Sequence, residues 1–381
     1  MRIVVGFVCA VVLLAGCSAD EKPATPTTSA AGDDTGIDAQ ESSEPVTRLV
    51  LVEPETGATV VFDAGEETET RLGELGPTHG VSGDGRFAYL RGDDALAVVD
   101  AGSWTFDHGD HSHYYVEPPA VAGRVDGRFT AAHGQRDLAT AQREDGTVAV
   151  LDRKALGEHQ IKPLDRFGEL RDIGAAAPLG EDMVVVTRDG AVTEIGTSQN
   201  LGRCPGVTGV STVGRDVVFG CADGAVRIVR RAGALTAEPM PLPGEPSYPG
   251  ALVYRYGSTT LTGVAEDTVW VLDGRRGSWK RVAVPDVVAA NSVSADSVLA
   301  LTADGQLRAF ATNDGRQTAA VPLLRGPIRT GRPVVEVDAD RAYVNDAQGR
   351  AVYEIDYRDG LRVARTFKTS IAPGFMVETG R

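Results

Sequence analysis

The chain has 381 residues and a formal net charge of −15, with 53 acidic against 38 basic side chains. An acidic chain without a basic patch is a poor partner for nucleic acid, so the sequence excludes that class of function. The chain has only six histidines and four cysteines. The position of each of these residues is therefore informative.

The first residues have the pattern of a secretory leader. Arg2 precedes the apolar run IVVGFVCAVVLLAG, which is too short and wrongly flanked for a lasting membrane span. The run ends in LAGC (Leu14–Cys17), the pattern at which a bacterial lipoprotein is cleaved before an acylated cysteine. We expect a lipoprotein signal peptide over residues 1–16, a lipid on Cys17, and an extracytoplasmic protein anchored to the cell membrane. An ordinary secretory signal is the alternative.

Residues 17–46 have the composition of a flexible tether. The stretch SADEKPATPTTSAAGDDTGIDAQESSEP is rich in Ser, Thr, Pro and acidic residues and has almost no large apolar side chain. Such a segment cannot bury enough surface to offset its chain entropy. We therefore predict a disordered tether over 17–46 and one globular domain over 47–381.

The globular part repeats one phrase: a turn of small residues, a short apolar strand, an Asp-Gly or Asp-Asp turn, and a second strand. No stretch shows a sustained helical period, and the alternating or continuous apolar runs between such turns are typical of β-hairpins. The copies lie at Gly83–Trp104, Asp126–Asp152, Gly180–Gly196, Gly214–Arg230, Glu266–Trp279, Ala295–Arg316 and Ala339–Gly360. Repeated β units of this length predict an all-β protein of the β-propeller class.

The two ends of the globular part look like incomplete repeats. Arg48–Phe62 precedes the first full copy and Ala372–Arg381 follows the last. We expect these strands to form one mixed blade that closes the ring. Seven blades are favoured and eight are the alternative, in a protein that we expect to be a monomer.

Two cysteines remain after export to form a disulfide. Cys9 leaves with the leader and Cys17 is acylated, so Cys204 and Cys221 are left. Exported chains meet oxidising conditions, and a disulfide closing a loop of this length stabilises a protein by on the order of 3 kcal/mol. The alternative, a metal site with two thiolates, would need closer cysteines or neighbouring histidines.

Half of the histidines lie in the stretch DHGDHSHYY (Asp107–Tyr115). In a strand His111 and His113 would point to the same face, because side chains alternate. His108 and either Asp107 or Asp110 could be turned inward just before it. Imidazole and carboxylate groups suit zinc, which takes three or four such ligands.

A further ligand is then expected from a distant segment. His133 in TAAHGQ is the first choice because it lies in the next repeat, and His79 in PTHGVS is the second because it would begin the inner strand of its own repeat. The competing interpretation is a polar loop without a metal, anchored by Tyr114 and Tyr115. Spacing alone leaves both interpretations open.

The combination of DHGDHSHYYVEPP, CPGVTGVSTVGRDVVFGCADG and the surrounding repeats resembles the zinc metallochaperone AztD family. The resemblance extends over most of Arg48–Arg381. It implies an exported propeller that delivers zinc to the solute-binding protein of a zinc ABC transporter. It also implies a zinc site containing His108, Asp110, His111 and His113, with His133 close by.

Motifs of common enzymes are missing from the sequence. It has no G-x-S-x-G and no H-E-x-x-H, and its glycines lie in turns between strands. We therefore expect a protein that is not an enzyme, although a propeller lactonase or glycosidase remains an alternative. A lipoprotein propeller that serves as a protein-interaction platform without a metal is the other alternative function.

Overall fold

The computed structural model describes residues 39–108, 111–244 and 248–381, and almost all of its secondary structure is β. The strands of the first half are β1 (Gln40–Ser42), β2 (Arg48–Val52), β3 (Ala58–Asp63), β4 (Thr68–Glu74), β5 (Thr78–Gly83), β6 (Phe87–Gly92), β7 (Ala95–Asp100), β8 (Ser103–Asp107), β9 (Ser112–Val116), β10 (Ala120–Asp126), β11 (Phe129–Gln135), β12 (Leu138–Arg143) and β13 (Val148–Asp152). A single short helix, α1 (Arg153–Gly157), follows them in the described part of the chain.

The strands of the second half are β14 (Ile173–Leu179), β15 (Asp182–Thr187), β16 (Ala191–Glu194), β17 (Asn200–Arg203), β18 (Gly209–Val213), β19 (Asp216–Cys221), β20 (Gly224–Arg231), β21 (Ala234–Pro241), β22 (Val253–Tyr254), β23 (Thr260–Ala265), β24 (Thr268–Asp273), β25 (Ser278–Ala283), β26 (Val287–Ser294), β27 (Ser297–Thr302), β28 (Gln306–Ala311), β29 (Gln317–Pro322), β30 (Val335–Val337), β31 (Ala342–Asp346), β32 (Ala351–Asp356), β33 (Arg362–Lys368) and β34 (Phe375–Thr379).

Eight antiparallel sheets follow one another along the chain as blades. Their strand orders are β34-β2-β3-β4, β5-β6-β7-β10, β11-β12-β13, β14-β15-β16-β17, β18-β19-β20-β21, β22-β23-β24-β25, β26-β27-β28-β29 and β30-β31-β32-β33. Within each blade, strands that follow one another in the chain pair as hairpins, as the Asp-Gly turns predict. Eight sheets is the number given above as the alternative to seven. A ninth sheet, β1-β9-β8, lies outside this series.

The first strands of the blades contact one another around a ring. β5 contacts β34 and β11, and the contacts continue from β11 through β14, β18, β22 and β26 to β30. The last and first blades meet where the Arg332 N–H donates to the Gly374 carbonyl at 2.8 Å and the Asn345 amide donates to the Pro373 carbonyl at 2.8 Å. The all-β propeller predicted from the repeats is confirmed.

The first blade joins the two ends of the propeller. β34 pairs with β2 in register, with Val50 opposite Val377, and β2 pairs in turn with β3. The ring is therefore closed by N- and C-terminal strands, as the incomplete end repeats predict.

Apolar side chains of neighbouring blades form the core. One cluster joins Val50 and Val61 of the first blade to Leu90 and Val99 of the second. Each blade has a neighbour on either side, so apolar side chains cover both faces of its sheet. A strand such as β7 (ALAVVD) is therefore buried at every position. Each such side chain contributes about 1.5–3 kcal/mol on full burial.

The predicted disulfide joins Cys204 to Cys221, with Cα atoms 5.1 Å apart. Both cysteines are buried in the cluster between the fourth and fifth blades. The Asp-Gly turns also have the predicted role: Gly190 and Gly305 have φ of +87° and +84°, a conformation that favours glycine. The preceding carboxylates of Asp189 and Asp304 accept hydrogen bonds from threonine hydroxyls of the same turns, which lower the pKa of each.

Candidate metal centre

The histidine-rich stretch forms the end of a hairpin inserted into the second blade. β8 and β9 lie in the chain between the third and outer strands of that blade, β7 and β10, and they pair with each other and with β1. The backbone N–H of His108 donates to the carbonyl of His111 at 3.0 Å, which links the two strands at the tip. Asp110 lies outside the described residues.

Stacked aromatic rings join the two strands of the hairpin. Trp104 and Tyr115 are opposite each other in the β8–β9 register, and their rings stack with centroids 5.5 Å apart. The guanidinium of Arg86 lies 3.6 Å from the Trp104 ring centroid on the core side. Such a cation–π contact contributes about 2 kcal/mol where it is desolvated.

Two arginines hold the base of the hairpin to the propeller. Arg48 Nη1 donates to the carbonyls of Ala101, Gly102 and Glu117 at 2.9, 2.8 and 2.8 Å. The strand β8 is also held from the C-terminal end of the chain, because the Thr105 hydroxyl donates to the Gly380 carbonyl at 2.8 Å. The position of the tip is therefore set by contacts with several segments.

Arg86 is the second of these arginines. Its Nη2 lies 2.7 Å from Asp100 Oδ2 and 2.5 Å from Glu117 Oε1. Asp100 and Glu117, with His159, form one group of three residues whose possible ligand atoms lie within 4.8 Å of one another. Their two buried carboxylates already hold a cation, the guanidinium, so we interpret this group as a structural ion pair.

Opposing effects act on the pKa of Glu117 at the base of the hairpin. Burial, helped by the nearby Asp100 carboxylate, raises the pKa of Glu117 to about 7, and Arg86 opposes that rise. His159 lies further out, with its Nε2 3.9 Å from Asp100 Oδ2.

At the tip, His108, His111 and His113 form a second such group. Their ring centroids are 4.9 to 5.1 Å apart, and one nitrogen of each ring lies within 4.8 Å of the others. His108 and His111 are exposed and His113 is half-buried. Zinc binds imidazole nitrogen at about 2.0–2.1 Å, so rotation of these side chains could close all three on one ion. The structure thus brings together the three histidines that the sequence singled out.

Phe106 and Asp107 lie next to the three histidines in the chain. Phe106, opposite His113 in the hairpin, packs edge-on against the His108 ring with centroids 4.7 Å apart. Asp107 is exposed, and its charge adds to the effect of burial that raises the pKa of Tyr256. Tyr256 follows β22 in the chain.

Glu41 is a member of the site that the sequence did not reveal. Its Oε1 lies 2.5 Å from His113 Nδ1. Glu41 lies on β1, inside the stretch 17–46 that the sequence predicted to be a tether, and residues 40–42 pair with β9. A three-residue strand of polar composition carries no periodic signal, so no pattern could have found it.

The two distant candidates, His133 and His79, do not join the three tip histidines. His133 lies on β11, where its Nε2 is buried without a hydrogen-bond partner and burial lowers its pKa to about 4. The exposed His79 lies on β5 and its Nε2 contacts Asp93 Oδ1 at 2.6 Å. His79 and His133 therefore lie on the first strands of the second and third blades, as the order of the repeats predicts.

The sheets define a β-propeller, and solved structures share this fold. Two structures of AztD from Citrobacter koseri, one of them of the apo protein, superpose with TM-scores of 0.75 at 16% and 17% identity, over 88% of this chain and 98% of theirs. Dihydro-heme d1 dehydrogenase NirN in complex with DHE also shares the propeller, with a TM-score of 0.55 at 16% identity over 88% of this chain and 76% of its own. Identities this low show a shared fold, and a fold that also serves a dehydrogenase does not decide the activity.

No protein-family model matches the chain, and no curated protein matches it significantly. Among the described residues, no helix is long and apolar enough to cross a membrane.

Proposed function

We propose that this protein is a lipid-anchored, extracytoplasmic propeller that binds zinc and passes it to the solute-binding protein of a zinc ABC transporter. The observation that carries the proposal is the group of three imidazoles, two of them exposed, at the tip of the inserted hairpin. The AztD-like fold and the sequence resemblance to that zinc metallochaperone family support it. The proposed role is not enzymatic.

The tip has the chemistry that a carrier needs. Three neutral imidazoles bind Zn²⁺ and leave room for a further ligand from Asp110, a water molecule or an acceptor protein. Two of the three rings are exposed, so the ligands of an acceptor can reach the ion without unfolding the hairpin. Asp107 and Glu41 add negative charge, which favours a divalent cation.

Zinc affinity of the full chain tests the site. In the variant His108→Ala/His111→Ala/His113→Ala we expect loss of tight binding in competition with a chelator, at least 100-fold, because too few ligands remain. His79→Ala and His159→Ala are matched controls that remove an exposed imidazole elsewhere, and both should bind as the unmodified protein does. Equal tight binding by the triple variant would mean that zinc binds elsewhere in the protein. Absence of zinc binding by both proteins, with an unchanged circular dichroism spectrum, would leave the interaction platform as the function.

Transfer is measured in a second step. Zinc-loaded protein is mixed with the apo solute-binding protein of a zinc ABC transporter and a chelator that captures only free zinc. Delivery faster than the spontaneous release of zinc to the chelator supports direct transfer. Delivery limited by that release rate would contradict it.

The membrane anchor is tested separately on the mature N-terminus. We expect mass spectrometry of the protein from a bacterial host to find a lipid on Cys17 and no residues 1–16. The control Cys17→Ala should retain the leader or lose the lipid. An unmodified Cys17 in the exported protein would refute the anchor.

A further inference from the structure

The contact between Glu41 and His113 determines which nitrogen of His113 carries a proton. An ionised carboxylate accepts hydrogen bonds and donates none. With Glu41 Oε1 at 2.5 Å, Nδ1 of the neutral imidazole is the nitrogen that carries hydrogen. The lone pair is then on Nε2, the nitrogen that remains available to a metal.

We propose that Glu41 is the positioning residue of the tip: it holds His113 in the Nδ1–H tautomer and fixes the ring so that Nε2 serves as the ligand atom. The part of this proposal that concerns metal affinity rests on the proposed function. Histidines that bind metals usually give their second N–H to a carboxylate, carbonyl or water, and loss of that partner typically weakens metal binding 10- to 100-fold.

The β1–β9 register explains how Glu41 reaches the ring. Glu41 is directly opposite Tyr115 across the two strands, and Tyr115 and His113 are two residues apart on the same face of β9. Side chains on such a diagonal are about 7–8 Å apart at the backbone, within reach of a glutamate. Burial raises the pKa of Tyr115, and the charge of the Glu41 carboxylate adds to that rise. This agrees with the position of Glu41 opposite Tyr115.

Stacking on Tyr115 restrains the orientation of the His113 ring plane. The His113 and Tyr115 rings are nearly parallel, with centroids 6.2 Å apart, and Tyr115 stacks in turn on Trp104. The row of rings therefore fixes the plane of His113, and Glu41 fixes its direction within that plane. The exposed His108 and His111 rings contact the His113 ring edge-on instead, with centroids 5.1 and 4.9 Å away.

The tautomer is measured in the apo protein, without zinc. Long-range ¹H–¹⁵N correlation spectra of the full chain with labelled histidine, recorded at pH 8 where imidazole is neutral, distinguish Nδ1–H from Nε2–H. His113→Gln identifies the signal. We expect Nδ1–H in the unmodified protein and a shift towards Nε2–H, the form that free histidine prefers, in Glu41→Ala. Glu44→Ala, which removes another exposed carboxylate from the same segment, should leave the signal unchanged.

Zinc affinity is the second readout. We expect Glu41→Ala to bind zinc about 10- to 100-fold more weakly. Glu41→Gln, whose amide oxygen can still accept the Nδ1 hydrogen, should recover part of the loss, whereas Glu44→Ala should bind normally. Because Glu41 is exposed, these variants should fold, and circular dichroism checks that they do.

The two readouts separate this proposal from the proposed function. His113 protonated at Nε2 in the unmodified protein would overturn the positioning role even if zinc binds. Unchanged zinc affinity in Glu41→Ala would overturn it as well. A clear Nδ1–H signal that depends on Glu41, in a protein that binds no zinc, would support the positioning role and refute the zinc carrier.

Discussion

The two ends of one hairpin carry similar groups with opposite roles. The tip has His108, His111 and His113, and the base has Asp100, Glu117 and His159; in each set the possible ligand atoms lie within 4.8 Å of one another. At the base the carboxylates are buried and already hold the guanidinium of Arg86. At the tip two of the imidazoles are exposed. Ligand type and spacing do not by themselves define a metal site, because the neighbouring charges decide whether a cation is still needed.

The largest effect should follow from removal of Arg86. Arg86→Ala leaves Asp100 and Glu117 buried without their cation, and breaking such a pair typically costs about 3–5 kcal/mol. Urea unfolding of the zinc-free protein measures the loss. The triple alanine variant of the tip histidines is the comparison, and it should change the free energy of unfolding by less than about 0.5 kcal/mol.

Binding of zinc at the base of the hairpin would offset the loss of stability that we expect in Arg86→Ala. If Arg86→Ala remained stable only with added zinc, the carboxylates and His159 would have become a metal site, and the separation of roles between tip and base would depend on one arginine. A variant that stays stable without zinc would show that the ion pair contributes little.

A smaller effect should follow from Glu117→Gln, and its sign depends on pH. The pKa of Glu117 is raised to about 7 from its ordinary 4.5, mainly by burial. A raised pKa means that its contribution to stability is complete below about pH 4.5 and is lost as pH rises through 7. The glutamine variant keeps the uncharged form, so relative to the unmodified protein it should gain up to about 2 kcal/mol between pH 5 and pH 8.

The same unfolding experiments at the two pH values measure this gain. The charges that face Glu117 are those of Arg86 and Asp100, with His159 beyond Asp100. A Glu117→Gln variant that is less stable than the unmodified protein by the same amount at both pH values would mean that the carboxylate is already ionised at pH 5 and that its pair with Arg86 dominates.

The fold could be predicted because its signals are local. Each hairpin is encoded by its own apolar runs and Asp-Gly turn, and the end strands at Arg48–Phe62 and Ala372–Arg381 have the same composition as the internal ones. The signal for the three tip histidines was equally local, because they lie within six residues of the chain. The number of blades was harder to predict, because it depends on whether the two end strands form a blade in addition to the seven repeats; β34 and β2 lie in one such sheet.

The partners of the hairpin could not be predicted, because they come from distant parts of the chain. Glu41 is 72 residues from His113, and Arg86 is 31 residues from Glu117. His133 was chosen as a ligand from the order of the repeats, but order along the chain does not reveal where an inserted hairpin points. His133 itself lies on β11, with a buried Nε2 that has no hydrogen-bond partner.

The closure of the ring has a consequence for the order of assembly. β34, the last strand, is the inner strand of the first blade, and the residues after it hold the hairpin through Thr105. Gly380 lies 275 residues after Thr105 in the chain. The hairpin therefore cannot reach its final position before β34 has returned to the first blade, so a correctly formed tip depends on closure of the ring.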